Sequence, residues 1–520
     1  MTHKPSPMLA AATATAALIG LISACSSGAG TGGKSGSALT IGIVSAPNSL
    51  DPTLGGNNAE GLIYSDLAYA PLITLNGDGS LSPGLATSWK YTDATLTTFT
   101  LSLRPNAKFS DGSPVTASAV VNSLRRTKTA VGGLVTAYAN MIKSADATGP
   151  YTVVLHLAQR NPSIALVLTQ RFLVGDIIGP RGLANPKALT TSTDGAGQYT
   201  LDSSGTVANQ TYTYAANPKY WDQSKIHFKK VIVRVIPNPQ TAYNALKSGQ
   251  VDLIDGSPST VSEAAGNGSL AVYSTPASWY GIDLIDRAGS VVPALASEKV
   301  RQALNYAVDR AAITKALFGK YGEPTSQITD SGYDGYDPSY NNHYAYDPNL
   351  AKSLLAQAGY PNGFSMTIAA TPQYGDGVEV AQVIASYWEK IGVRARISTS
   401  ATITPFGNEV TAGKTPAFAM QYDAQPMFLE ATQLLDTDAG FFNQFKTAEP
   451  QLTALIAAAR VQTKPAAIAS AWSAVQRRVV DLGWFVPVAL GPVQFYATKK
   501  LHGVNMSVKF SSPDPTQMHF

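Results

Sequence analysis

Val231-Ile232-Val233-Arg234-Val235-Ile236, then Asn238-Pro239, then Ala242 through Leu246 and Lys247 to Gly249, then Val251-Asp252-Leu253-Ile254, is the stretch on which the fold turns. The first run is almost wholly β-branched and reads as a strand. Asn238 is a good helix cap, Pro239 suits a first helical position and Gly249 a helix end. A second apolar strand follows immediately. Strand, helix and strand in this order predict two parallel strands of one sheet joined by a right-handed crossover.

Working outward, Leu39-Thr40-Ile41-Gly42-Ile43-Val44 is a first strand that ends at Pro47-Asn48. Val300 to Phe318 reads as one helix, with Val300, Ala303, Leu304, Ala307, Val308 and Ala311 on one face and Gly319 as the stop. A further helix starts at Asp347-Pro348 and ends at Gly359-Tyr360-Pro361, burying Leu350, Leu354, Leu355 and Ala358. Another, Val378 to Ile391, closes at Gly392 and leads into the alternating strand Val393 to Ile397. Between Leu96 and Leu157 the pattern turns β-rich, with strands at Thr98–Leu103 and Val153–Leu157 and an Asp111-Gly112 turn. No fixed-period repeat is present. The reading is α/β with a β-rich subdomain inserted early.

Composition narrows the function classes. At 520 residues the chain is too long for one core, so two or more lobes are expected. Charged residues make up 14%, well under the roughly 25% usual for soluble domains, and Lys+Arg 38 nearly balance Asp+Glu 34. With no Lys/Arg run, nucleic acid is not the natural partner. A mean hydropathy of −0.01 excludes a polytopic membrane protein. One cysteine allows no internal disulfide and no Cys-rich metal site.

That cysteine has a definite setting. Lys4, an apolar stretch from Met8 to Ile22, and Ile22-Ser23-Ala24-Cys25 describe a secretory signal rather than a membrane span. Cys25 directly after Ser-Ala resembles the bacterial lipobox, which implies a lipid-modified Cys25 as the mature N-terminus, tethered outside the cytoplasmic membrane. Gly28 through Ser35 matches G-x-x-x-x-G-K-S letter for letter. A phosphate loop needs a buried strand before it and a helix after it. Here the flanks are the lipidated cysteine and Gly-Ser, so residues 25–37 read as a flexible tether.

A family resemblance rests on motifs in sequence. They are Ser49-Leu50-Asp51-Pro52, Tyr69-Ala70-Pro71-Leu72, Pro83-Gly84-Leu85-Ala86-Thr87-Ser88-Trp89, and Lys108-Phe109-Ser110-Asp111-Gly112-Ser113-Pro114-Val115. Asn217-Pro218-Lys219-Tyr220-Trp221, Leu246-Lys247-Ser248-Gly249-Gln250-Val251-Asp252, Val300-Arg301-Gln302-Ala303-Leu304-Asn305-Tyr306-Ala307-Val308-Asp309-Arg310 and Tyr346-Asp347-Pro348 complete the series. In this order and spacing, over residues 38 to 520, the chain resembles the family 5 extracellular solute-binding proteins of ABC importers, the oligopeptide, dipeptide and nickel type. Most of these motifs are structural. The glycine turns set backbone geometry, and Asp309-Arg310 is expected to form or feed a packed ion pair.

The resemblance implies a two-lobed, type II periplasmic-binding-protein-like α/β fold with a hinge. Residues 1–24 would be the signal. Lobe I would be 38–276 plus 488–520, with the inserted subdomain at about 59–180, and lobe II would be 277–487. Hinge crossings are expected near 274–279 and 485–490, with the solute held between closing lobes. It also implies ligand positions: Gly56, Asn57 and Asn58 in the segment after Asp51-Pro52, and Gln421, Tyr422 and Asp423 at a strand end before Pro426. In peptide-binding relatives an Asp there pairs with the ligand ammonium. Asp423 takes that role here, although it stands three residues before the proline rather than four, and Met420 or Gln421 replaces the usual Trp. Trp279-Tyr280 and Tyr138 are expected as aromatic walls. Where dipeptide binders carry an anion-gripping Arg, this chain has Val378 and Glu379.

Other readings are weaker. The six histidines, His3, His156, His227, His343, His502 and His519, form no H-E-x-x-H and no close pair in sequence, and there is no G-x-S-x-G elbow, so no enzyme is expected and no cofactor. Free nickel would want convergent His or carboxylates that no spacing shows; chelated nickel, haem, a sugar or another polar or cationic solute stays open, as does an envelope lipoprotein that no longer serves transport. The expected partners are a peptide-like solute and ABC permease subunits with their ATPases; the protein itself is expected as a monomer.

Overall fold

In the computed structural model, which describes residues 38–55, 59–130, 134–372 and 377–520, the deciding stretch folds as it reads. Lys230–Val235 is a strand, and Asn238 caps the helix Pro239–Lys247 by accepting the Thr241 N–H at 2.9 Å. Gly249 carries the chain out at φ +73°, a conformation that favours glycine, into the strand Leu253–Asp255. The two strands are parallel but not neighbours. The first strand, Ala38–Ile43, lies between them and pairs in parallel with both.

These strands belong to an 11-stranded sheet. Its order from one edge is Arg394–Thr399, Ser365–Ala370, Ala417–Asp423, Leu270–Asp283, Phe485–Thr498, Leu253–Asp255, Ala38–Ile43, Lys230–Val235, Thr211–Ala216 and Tyr199–Leu201, with Glu323–Pro324 paired to the fifth strand. Leu270–Asp283 and Phe485–Thr498 are each 14 residues long and run antiparallel from Leu270 opposite Thr498 to Asp283 opposite Phe485. The expected crossings, 274–279 and 485–490, lie within them. Each serves two cores. Ala277, Val493, Phe495 and Ala497 pack with Leu39, Ile41, Val231 and Val233, whereas Tyr280, Ile282, Val486 and Val488 pack with Val300, Leu304 and Ile368. Two hydrophobic cores on one continuous pair of strands is the physical basis of a two-lobed molecule.

The early β-rich segment is a separate four-stranded antiparallel sheet, ordered Ala86–Tyr91, Thr98–Leu103, Thr152–Leu157 and Ile142–Gly149. The helix Ala117–Thr129, capped by Thr116 on the Ala119 N–H at 3.2 Å, buries Val120 and Leu124. Among the described residues, no helix is long and apolar enough to cross a membrane.

Three expectations change. The helix predicted over 300–318 is two, Glu298–Tyr306 and Arg310–Phe318, because the Asp309 carboxylate accepts the Ala312 N–H at 3.0 Å and restarts the chain as an N-cap. Asp309 and Arg310 therefore form no ion pair. Arg310 is buried and donates instead to the carbonyl oxygens of Thr325, Pro487, Asn305 and Tyr344 and to Asn305 Oδ1. On the helix Pro348–Gln357 the buried residues are Ala351 and Leu355, while Leu350 is 37% exposed, so the apolar stripe is set round the axis from where it was placed.

Candidate functional site

The strand Ala417–Asp423 pairs antiparallel with the far end of Leu270–Asp283, placing Ser278 opposite Asp423, Trp279 opposite Tyr422 and Tyr280 opposite Gln421. Five sequence-predicted residues thus come together on two adjacent strands. Strand side chains alternate, so they divide between two faces. Trp279 and Tyr422 share one face, with ring centroids 6.4 Å apart and the Phe485 ring edge-on to Trp279 at 5.6 Å. Tyr280 lies on the other, against Phe318 at 4.8 Å within the core around Ile282 and Val486. Gly491 makes room for it, since a Cβ there would stand 2.2 Å from the Tyr280 ring. The two aromatics therefore do not wall one cavity.

A polar network fills the Trp279 face. Tyr138, from the inserted subdomain and stacked edge-on to Phe172, donates its hydroxyl to Gln425 Oε1 at 3.1 Å. Gln425 Nε2 donates to the Tyr422 hydroxyl at 2.6 Å, Tyr422 donates to Gln433 Oε1, and the Gln425 N–H donates to Glu430 Oε1 at 3.2 Å. Glu430 is fully buried, its Oε2 has no partner, and burial pushes its carboxyl well above the usual range. Trp279 Nε1 is likewise buried and unpartnered.

On the Asp423 side, Ser278 Oγ donates to Asp423 Oδ1 at 2.5 Å, and Gln421 Nε2 donates to Ser278 Oγ at 3.4 Å; Asp423 itself is half-buried. Nearby stands Arg171, buried, whose Nη2 donates to the Ala424 carbonyl at 3.0 Å and Nη1 to the Lys509 carbonyl at 2.5 Å. Burial works against its charge, but Tyr333, Asp423, Tyr138 and Asp330 outweigh it and hold the guanidinium above its ordinary value. Asp330 is pushed up to about 6, chiefly by burial, with the Gly332 N–H and Arg171 pulling it back; its Oδ2 has no partner. The result is one guanidinium among Asp330, Asp423 and Glu430. Unpaired buried groups of this kind are costly unless something outside the chain answers them.

Arg171, Asp330, Gln425, Glu430 and Gln433 escaped the sequence reading. A signal existed for two of them: Arg171 is a lone charge in the run Ile164 to Val174, and Glu430 a lone acid in Met427 to Leu435. Single charges inside apolar runs are buried with a purpose or paired. Val378 is half-buried and Glu379 exposed on the helix Gly377–Glu389, so no cation stands there to hold an anion. Gly56, Asn57, Asn58 and Cys25 lie outside the described residues. Three histidines meet in space after all: His519 has its ring 5.7 Å from His502 and 5.4 Å from His227. Even so, among the described residues no group of three His, Cys, Asp or Glu is placed to hold a metal.

With this geometry in view, the comparisons with known proteins fall into place. The family model described as bacterial extracellular solute-binding proteins, family 5, middle region, matches residues 80–437, and the chain belongs to this family. It is 27% identical over 369 residues to the glutathione-binding protein GsiB of Salmonella typhimurium, covering 69% of each chain. The PBP AgaA from A. tumefacien R10, solved with agropinic acid, superposes with a TM-score of 0.82 at 24% identity over 93% of this chain and 98% of that one. The periplasmic binding protein DppA of Helicobacter pylori, solved with the peptide STSA, does so at 0.80 and 20% identity, over 93% and 98%. These likenesses bear out the two-lobed α/β fold. The relatives that it matches are solute-binding transport proteins.

Proposed function

We propose that this chain is the lipid-anchored capture component of an ABC importer, which takes up an oligopeptide-like solute bearing a free ammonium group. The solute sits between lobe I, about 38–276 plus 488–520, and lobe II, about 277–487. The observation that carries the reading is the cluster at the end of the strand Ala417–Asp423. There Asp423, Asp330 and Glu430 surround a single guanidinium whose Nη donors are already spent on carbonyls. An excess of carboxyl groups over cations at this strand end favours a cationic group on the ligand. Gln421, the Asn57-Asn58 segment and main chain would bind the rest through tolerant polar contacts. Anchoring follows from Cys25, and release from docking on a permease driven by ATPases.

A non-peptide solute is the second reading, favoured by one observation: Val378 and Glu379 cannot grip a terminal carboxylate, so the solute need not carry one at that place. Native mass spectrometry of protein purified from its own host decides between them. A co-purified peptide supports the first reading. A co-purified non-peptide, or no thermal stabilisation by any peptide pool, overturns it. Absence of an acyl mass on Cys25 would refute the anchor.

A further inference from the structure

A cavity lies among Asp66, Tyr69, Arg104, Gln170, Trp221 and Asp514, and shares none of its lining with the cluster around Asp423. Its volume is about 170 Å³, several times what one water requires and enough for a molecule of roughly five to ten heavy atoms. Asp66, on the helix Ala59–Ala68, is 5% exposed, and neither of its carboxylate oxygens has a partner.

The groups around it are mostly acidic. Asp514 faces it with its carboxylate already bonded by the Thr516 N–H at 2.8 Å and by the Thr516 and Gln517 side chains, and Asp176 stands behind, satisfied on one oxygen by Ser65 at 2.7 Å and unpartnered on the other. The cations of the wall are engaged or remote. Arg104 donates Nε and Nη2 to the Gly84 carbonyl and lays its plane over the Trp221 ring at 5.3 Å, while Lys225 is exposed at the rim beside Asp222. Tyr69 spends its hydroxyl on the Leu50 carbonyl, and Gln170 spends its amide on the main chain of Leu75. None of these side chains answers Asp66, whose two oxygens have no hydrogen-bond partner. Ionised or protonated, its carboxyl lacks the hydrogen bond that burial demands.

We propose that this cavity is an accessory site for a small organic primary ammonium ion, seated on Asp66 with Asp514 as its second carboxylate. An ammonium has three donors and one charge, which suits the two unpaired oxygens of Asp66 with the Asp514 carboxylate beside them. Burial and the charges of Asp514 and Asp176 hold the empty Asp66 carboxyl well above its usual range. Seating a cation ionises Asp66, so binding expels a proton.

The test is isothermal calorimetry on the full chain near neutral pH with ethanolamine and putrescine as probes and propionate as the anionic control, repeated in buffers of different ionisation enthalpy. The expected result is saturable binding of the amines with a Kd around 1 mM or tighter, proton release, and no binding of propionate. Asp66→Asn should weaken amine binding at least tenfold and abolish proton release. Asp514→Asn, whose amide oxygen can keep the Thr516 cap, should weaken it several-fold. Asp423→Asn should leave it intact, which separates this site from the solute cleft. No amine binding by the wild type, equal binding by Asp66→Asn, or loss of binding in Asp423→Asn would each overturn the proposal.

Discussion

Ser278 and Asp423 face each other across two antiparallel strands, and the serine hydroxyl donates to the carboxylate at 2.5 Å. One oxygen of Asp423 is thereby fixed and the carboxylate is oriented, while the side chain keeps partial access to solvent. A carboxylate pre-positioned by its neighbour binds an ammonium without first having to be ordered. Asp423→Asn should therefore weaken a free-amine ligand by about 2 kcal/mol or more, roughly thirtyfold, and Ser278→Ala by less. Calorimetry with the co-purified solute measures both. Unchanged affinity in Asp423→Asn would remove this residue from the site.

Arg171 joins the inserted subdomain to the Ala424 carbonyl, one residue beyond the strand that carries Asp423, and to the Lys509 carbonyl. On the proposed lobe bounds the Lys509 contact stays within lobe I and the Ala424 contact crosses to lobe II, so the latter would act as a latch on the closed form. Arg171→Met should shift the population toward open molecules, seen as a larger radius of gyration in small-angle scattering without ligand. It should also lower ligand affinity through the reduced fraction of closed protein. An unchanged scattering profile would argue that closure does not depend on this guanidinium.

The local grammar was legible in the sequence wherever one short-range force decided the outcome. Asn238 and Pro239 at a helix start, Gly249 at its end and the β-branched run before them produce the elements they announce. Legibility failed where two local preferences competed. Asp309 lies within an apolar period that continues through it, yet its carboxylate captures a backbone N–H and cuts the helix. The site shows the same division. Trp279, Tyr422 and Asp423 lie on elements whose positions follow from strand order. Arg171 and Asp330 reach them from distant segments, and only the folded chain shows which charges share a space with Asp423 and Glu430. That Tyr280 and Trp279 part company is a matter of strand alternation, which becomes decisive once both are known to lie on one uninterrupted strand.

Arg310 offers a stability test free of ligand. Its guanidinium is 4% exposed and collects four carbonyls and Asn305 Oδ1 from separate segments of the second core. Arg310→Met would leave several buried acceptors unpaired, at a cost of roughly 3–5 kcal/mol. Arg310→Lys should recover only part of this, because an ammonium cannot reproduce the planar fork. Urea denaturation gives the midpoints; a midpoint for Arg310→Met equal to wild type would show that these carbonyls find other donors.

Asp330 ties stability to pH. Its carboxyl is 1% exposed and its pKa is raised from 3.8 to about 6, chiefly by burial. A raised carboxyl pKa means that the folded state favours the protonated form. The stability from this group is therefore fully present below about pH 4 and is lost as pH rises through about 6. Raising this carboxyl from 3.8 to about 6 corresponds to about 3 kcal/mol of stability given up by neutral pH. Asp330→Asn keeps an oxygen for the Gly332 N–H and cannot ionise. In the absence of solute the variant should accordingly be more stable than wild type above about pH 7, with the gap closing by about pH 4. Denaturation curves at the two pH values measure the difference. A gap that is constant with pH would mean that folding leaves the Asp330 pKa unchanged, and one that widens in acid would mean that Asp330 is held ionised in the fold. The most direct cause would then be a bound cation answering its unpartnered Oδ2.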